Sequence, residues 1–299
     1  MNIWEHKFTD VQIYDWEITI DSWFFVFAMV FLAFEMVRLI IKKQMSWNTV
    51  GDTVSNFITL GAHLLIIAVS ASAFLFIYYT VYQEFSIMHL PNNWWTVGLC
   101  LVLADIAYYW EHRVAHRIGI GWATHTVHHS SPYFNISVAY RHGPLDAVFG
   151  LPFHLPLAVL GFDPVLILFC EMMVQLYQTA LHTETIGKFP RFIEAVMNTP
   201  SHHRVHHGSN RQYIDKNYAG IFIIWDKLFG TFEEEDEKVV YGVKPALNSV
   251  NPANVYFHGF VKLFKQMYHA KGFKNKIAYL YQPPGWKPKQ AAQKHHDTE

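Results

Sequence analysis

Five apolar blocks separated by polar stretches set the outer limits on how this chain can fold. Residues 22–41 read SWFFVFAMVFLAFEMVRLII, and residues 56–81 are similarly apolar. Each is long enough to cross a bilayer core about 30 Å thick, which takes about 20 helical residues. Residues 93–110 are a third candidate. Residues 145–162 and 164–181 form a pair hinged at the turn-prone Gly161-Phe162-Asp163-Pro164. Any single block would suit a buried helix of a soluble protein. Five together, in a chain that is 52% hydrophobic and 17% aromatic with its charge gathered between the blocks, predict an all-α integral membrane protein with four to five membrane-embedded helices.

Orientation follows from Arg38, Lys42 and Lys43 after the first block, set against Glu5, Asp10, Asp15, Glu17 and Asp21 before it. The basic side stays cytosolic. The N-terminus has neither the basic region nor the small-residue cleavage site of a signal peptide, so the first span is expected to remain as an anchor. Cys100 and Cys170 both lie inside apolar blocks, where they read as packing residues rather than as a disulfide or thiolate site. A net charge of -1 gives no reason to expect a nucleic-acid partner.

The polar stretches carry the chemistry. Among 19 histidines, three clusters stand out: His112 with His116, then His125, His128 and His129, then His203, His206 and His207. Residues three and four apart share a helix face, so each cluster is expected to aim its imidazoles at one point. One tetrahedral zinc ion is filled by four ligands, so eight imidazoles predict two metal ions. Threading the blocks from the cytosolic side brings all three clusters to that face, in a helical cap over the membrane.

Several neighbours extend the set. His182 ends the second helix of the hairpin and reads as a ninth ligand, with Gln178 one turn before it on the same side. Asp105, seven residues before His112, is expected to orient an imidazole by accepting its other ring proton. His202 points about 100° away from His203 on a helix, which places it behind the ligands. His142, beside Arg141, is a candidate on the substrate side. Glu111 and Arg113 read as a surface salt bridge, and His63, His89 and His154 have no cluster to join. Residues 218–232 are expected to close over the site, residues 233–237 to form a solvated acidic loop, and residues 281–299, with His295 and His296, a disordered tail. Three regions result: residues 1–91 as an anchor with two spans, 92–243 as the catalytic domain, and 244–299 as a polar extension.

The motifs HRVAH, HTVHH and HHRVHH, placed around a membrane hairpin, resemble those of the fatty acid hydroxylase superfamily of integral-membrane di-iron enzymes, which includes the sterol desaturases. Tyr108 to His116, Leu181 to Glu184, Asn198 to His207 and Asp215 to Phe232 are similar to its ether-lipid-cleaving branch. That resemblance implies two iron ions held by the nine histidines, O2 as co-substrate and insertion of oxygen into a lipid C–H bond. In that branch the oxidised carbon lies beside an ether oxygen, and the resulting hemiacetal collapses to an aldehyde and free glycerol. Its electrons come from tetrahydrobiopterin, whereas other members use a redox protein. Hydroxylation or desaturation of a sterol, a fatty acyl chain or an ornithine lipid is the enzymatic alternative. A histidine-rich zinc-binding or transport protein is the non-enzymatic one, but the spans, which hold Glu35, Arg38, Asp105 and Glu171, offer no continuous polar stripe for an ion path.

Overall fold

The computed structural model describes residues 7–288, and these form helices, short turns and two isolated bridges, Met197 to Phe222 and Gly208 to Tyr241. In order the helices are α1 (Asp10–Ile41), α2 (Trp47–Phe85), α3 (Trp94–Arg117), α4 (Gly119–His125), α5 (Asp146–Phe149), α6 (Leu151–Leu160), α7 (Pro164–Leu181), α8 (Arg191–Glu194), α9 (Pro200–His206), α10 (Ile224–Phe229), α11 (Pro252–His269) and α12 (Phe273–Tyr281). Single 3-10 turns cover His128–Ser130 and Ile136–Tyr140.

The long helices begin where the local chemistry caps them. Thr9 accepts from the Gln12 amide while the Gln12 side chain accepts from the Thr9 amide, and Asn93 and Thr96 repeat that reciprocal cap at the start of α3. Asp163 caps α7 with Pro164 in its first turn, a position that needs no amide hydrogen. Gly161, at φ 99°, ends α6 and closes the hairpin. A Cβ there would lie 2.1 Å from the Met88 carbonyl, so close packing as well as backbone conformation requires glycine.

Burial in α2 is inverted relative to a water-soluble bundle, and α1 likewise exposes much of its apolar surface. Val30, Phe34, Val37, Ile40 and Ile41 on α1, and Leu64, Leu65, Val69 and Phe76 on α2, are exposed. The residues that α2 buries are Thr49, Asp52, Ser55, Asn56, Thr59 and Tyr78, most of them on one helical stripe at its N-terminal end. Apolar side chains facing outward are stable only in lipid, so the inversion identifies these helices as membrane-embedded. Among the described residues, α1, α2 and α7 are long and apolar enough to cross a bilayer, and Asp146–Leu160 is a shorter apolar stretch. The third predicted block, 93–110, lies inside α3 but is absent from that set, because α3 carries Asp105, Glu111, Arg113, His112 and His116 in its second half.

α3 and α7 form the centre. α1 packs on α7, and α6 packs between α2 and α3. Cys100, Ala104, Leu166, Ile167, Cys170 and Val174 fill the α3–α7 seam, with both cysteines free and wholly buried as expected of packing residues. The polar extension after residue 243 folds: α11 and α12 pack against α4. The approach is close at Gly259, where a Cβ would lie 2.1 Å from the Ala123 carbonyl. Gly259→Ala is therefore expected to part α11 from α4 and lower stability by about 1–3 kcal/mol, read as a fall in melting temperature. Glu5, His295 and His296 lie outside the described residues.

Candidate metal centre

The nine predicted histidines meet in two adjoining groups: His112, His116, His125, His129 and His206 in one, and His128, His182, His203 and His207 in the other. Within each group the ring nitrogens lie within 4.8 Å of one another, close to the span of about 4 Å between opposite ligands of one ion. The groups touch: the rings of His129 and His207 are 4.4 Å apart.

The first cluster, His112 and His116, stays within one group, whereas the second and third do not aim at a single point, as expected, but are each divided between the two groups. Residues four apart stay together, so His112 pairs with His116, His125 with His129, and His203 with His207. The residue at the third position goes to the other group, His128 away from His125 and His206 away from His203. The reason is the adjacent pair: neighbouring residues diverge by about 100° on a helix, so two consecutive histidines cannot serve one point.

Backbone carbonyls fix the ring tautomers. His112 Nδ1 lies 2.9 Å from the Tyr218 carbonyl, His206 Nδ1 3.0 Å from that of Lys216, and His182 Nδ1 2.8 Å from that of Gln178. A carbonyl only accepts, so each Nδ1 is protonated and each Nε2 presents a lone pair. Those Nε2 atoms face other Nε2 atoms: His112 to His125 at 3.0 Å, His206 to His129 at 3.1 Å, and His182 to His128 at 3.1 Å and to His203 at 2.9 Å. His116 Nε2 and His207 Nε2 are buried and have no partner. Converging lone pairs repel unless a cation lies between them, so the donor set fits two imidazole-ligated metal ions.

The loop after α9 is built to supply those carbonyls. Asp215 and Asn217 sit in the left-handed region, at φ 61° and 55°, which Asp and Asn tolerate better than most residues. Lys216 lies between them and turns its carbonyl to His206. Asn217 is held by the His202 and Glu233 carbonyls and accepts from the Glu233 amide. Asp226 accepts from the Tyr218 and Ala219 amides and from the Thr231 hydroxyl. Asp215 also pairs with Arg117 at 2.8 Å and lies 3.6 Å from His116 Nδ1.

Among the candidates behind the ligands, Asp105 departs from its predicted role. Asp105 meets no imidazole. Its carboxylate accepts from the Ile221 and Phe222 amides and from Trp225 Nε1, holding the loop that carries Tyr218. Gln178 donates to the Ala219 and Gly220 carbonyls of the same loop, while its own backbone carbonyl orients His182. His202 points away to Glu194 Oε2 at 2.9 Å. His142 stacks on His63 with ring centroids 4.0 Å apart. Asp105→Asn replaces an acceptor with an amide that faces three donors. It is expected to cost about 1–3 kcal/mol and to speed hydrogen exchange at Ile221 and Phe222; exchange as slow as in wild type would remove this anchoring role.

Other residues that shape the site lie in or beside the apolar blocks. Arg141, wholly buried, reaches Asp52 Oδ1 and Asn56 Oδ1 at 2.8 Å each, the Val127 carbonyl at 3.0 Å and Ser130 Oγ at 2.9 Å. Glu35 on α1 accepts from the Ile136 amide and from Thr183 and Thr185. Together they tie α1 and α2 to the His125–His129 segment and to the chain beyond His182. For Glu35, a lone charge inside an apolar block was the available signal. The acidic stretch is not idle either: Glu235 grips Arg204 bidentately at 2.7 Å, and Arg204 also binds the Thr183 and Ile186 carbonyls.

Burial first, then neighbouring imidazoles, push His128, His129, His203, His206 and His207 well below the ordinary histidine range, and burial pushes His182 down to about 3. The rings are therefore neutral and ready to ligate at neutral pH. Without metal, the unfolded chain takes up protons below about pH 6.5 that the folded chain refuses, so stability is full above that pH and falls below it. Each such histidine contributes about 1.4 kcal/mol per pH unit. The melting temperature of metal-free protein should drop steadily from pH 6.5 to 5; a flat profile would show that the imidazoles protonate in place.

Residues 97–231 match the model of the Fatty acid hydroxylase family. The chain is thus a helical membrane protein that belongs to this family, with paired histidine groups held where its helices meet the connecting loops. Among curated proteins it is 42% identical to alkylglycerol monooxygenase of Homo sapiens over 213 residues, 71% of this chain and 47% of that protein. It is 39% identical to the Danio rerio alkylglycerol monooxygenase over 75% of this chain and 49% of that protein. An ornithine lipid hydroxylase of Rhizobium tropici is 26% identical over 67% of this chain and 57% of that protein. The chain spans about half the length of the alkylglycerol monooxygenases it matches. No solved structure matches it.

Proposed function

We propose that this chain is a membrane-bound lipid monooxygenase whose two histidine groups hold two iron ions, and that it hydroxylates the carbon beside an ether oxygen in an alkylglycerol. The observation that carries the metal assignment is the facing of Nε2 lone pairs in two groups, with their tautomers set from behind by backbone carbonyls. Imidazole suits iron, copper and zinc alike, and the chemistry of the relatives selects a redox-active ion among them. When bound, a pair of irons would supply oxygen reduction and insertion into the C–H bond, with two electrons from a tetrahydropterin or a redox protein.

The chain's own residues do the rest. Nine neutral imidazoles would hold two divalent charges without neutralising them, and the Lys216, Tyr218 and Gln178 carbonyls keep the rings of His206, His112 and His182 oriented through the protons on Nδ1. The apolar faces of α1 and α2 keep the site next to lipid, so a lipid chain reaches it from the bilayer while water is kept from the oxidised carbon. Hydroxylation there leaves a hemiacetal, which collapses to an aldehyde and free glycerol without further oxidation. We read residues 92–243 as the catalytic unit, and the face that carries the histidines as cytosolic, from the basic residues Arg38, Lys42 and Lys43 at the end of α1.

The deciding experiment is metal content after anaerobic reconstitution, followed by oxygen uptake with 1-O-hexadecylglycerol and a reduced pterin. Two irons per chain with ether-dependent uptake and release of aldehyde are expected. Two irons with uptake only on other lipids would move the substrate. A redox-inert ion that iron does not replace would end the oxygenase reading.

A further inference from the structure

A second polar cluster lies in the helix bundle, apart from the nine histidines. His154 on α6 sits between two carboxylates, with Nε2 3.2 Å from Glu111 Oε2 on α3 and Nδ1 3.3 Å from Glu171 Oε1 on α7. Tyr78 on α2 donates to the same Glu171 oxygen at 2.8 Å. Four helices thus send one polar group each to one place among apolar side chains. Ionisable groups at such a depth are costly unless they serve a function. Packing makes room for them: a Cβ at Gly150 would lie 2.9 Å from Glu111 Oε2, so the carboxylate occupies the space that any other residue would fill.

The cluster is left short of donors. The two carboxylates present four oxygens, and the imidazole and the phenol point at only two of them. No donor among the described residues reaches Glu111 Oε1 or Glu171 Oε2. The side chains of His154 and Tyr78 are closed off, whereas Glu171 keeps 26% and Glu111 16% of its side chain accessible. His154 Nδ1 is buried and makes no well-formed hydrogen bond despite its nearness to Glu171. Free acceptors that stay accessible beside an apolar bundle match a ligand that brings hydroxyl donors. One end of the cluster adjoins the histidines, since Glu111 directly precedes His112, whereas Glu171 lies eleven residues before His182, about 16 Å along α7.

We infer that Glu111, His154, Glu171 and Tyr78 form a hydroxyl-binding subsite, which takes the polar head of the lipid substrate through hydrogen bonds from its hydroxyl groups to the two carboxylates. This rests on the proposed lipid substrate, but not on the chemistry performed at the metals. Glu111 would orient the head nearest the histidines, and Glu171 would measure how far it extends.

The test is equilibrium binding to the full chain in detergent micelles, without oxygen or reductant, of 1-O-hexadecylglycerol and of its 2,3-di-O-methyl ether. Wild type is expected to bind the diol roughly 10- to 100-fold more tightly, the worth of one or two hydrogen bonds to a charged acceptor. E171L should bring the ratio to within about threefold while leaving the affinity for the dimethyl ether unchanged. If E171L does not fold, E171Q keeps the shape and removes the charge, and the ratio should fall below about tenfold. A ratio near one in wild type would overturn the subsite, as would a wild-type ratio in the variants or tighter binding of an ammonium-headed lipid. An unchanged ratio with slowed turnover would assign the carboxylates to moving protons instead. Because no turnover is needed, a strong diol preference without oxygen uptake would uphold the subsite while ending the monooxygenase reading.

Discussion

Arg141→Leu is expected to cost about 3–5 kcal/mol, enough to unfold the segment that carries three of the histidines. The guanidinium is wholly buried and donates to four partners, Asp52, Asn56, Ser130 and Val127, while Ser131 donates to the other oxygen of the same Asp52 carboxylate. Removing it leaves Asp52 as an uncompensated charge beside an unpaired Asn56 oxygen, which is the costly way to break a buried pair. Asp52→Asn should cost less, because the amide still accepts from Arg141. The comparison is made by thermal unfolding in one detergent, with metal content measured alongside. If Arg141→Leu melted like wild type and kept its metal, the ion pair would be incidental to the site.

His203→Ala is expected to remove one metal per chain and to lower turnover by at least about 100-fold. His203 belongs to the smaller group, which would keep three imidazoles, and its Nε2 is the nearest neighbour of His182 Nε2, at 2.9 Å. His125→Ala, in the group of five, leaves four and should retain more metal under the same dialysis. Equal retention by the two variants would show that the groups do not differ in how many ligands they can spare.

How much of this was legible in the sequence depends on the scale of the signal. The helical membrane architecture, the nine histidines and their convergence follow from block length and from i, i+4 spacing, both of which act within one segment. The division into two groups was also latent in the repeated His-His pairs, since adjacent residues diverge. What spacing did not reveal was which atoms stand behind the rings. Asp105 shares a helix with His112 but turns to Ile221, Phe222 and Trp225, because three unpaired donors on a distant loop outweigh one imidazole proton. Glu111 was read with its neighbour Arg113, yet it finds His154 across the bundle, while Arg113 goes to the Tyr109 hydroxyl. The partners of Asp105 and Glu111 are 43 or more residues away in the chain, and only packing brings them together.

The His-His pairs have a consequence for how the centre fills. His128 and His129 belong to different groups, as do His206 and His207, so two peptide bonds join the groups directly. The separation of two ions held as proposed would then depend on covalent geometry, which hardly stretches, as well as on the reach of the side chains. An ion captured by one group fixes the backbone of both pairs and so removes much of the disorder that the other group must lose when it binds. Occupancy should therefore rise as a single steep event with few half-filled chains, and an ion of the wrong radius in one group would degrade the fit of the other.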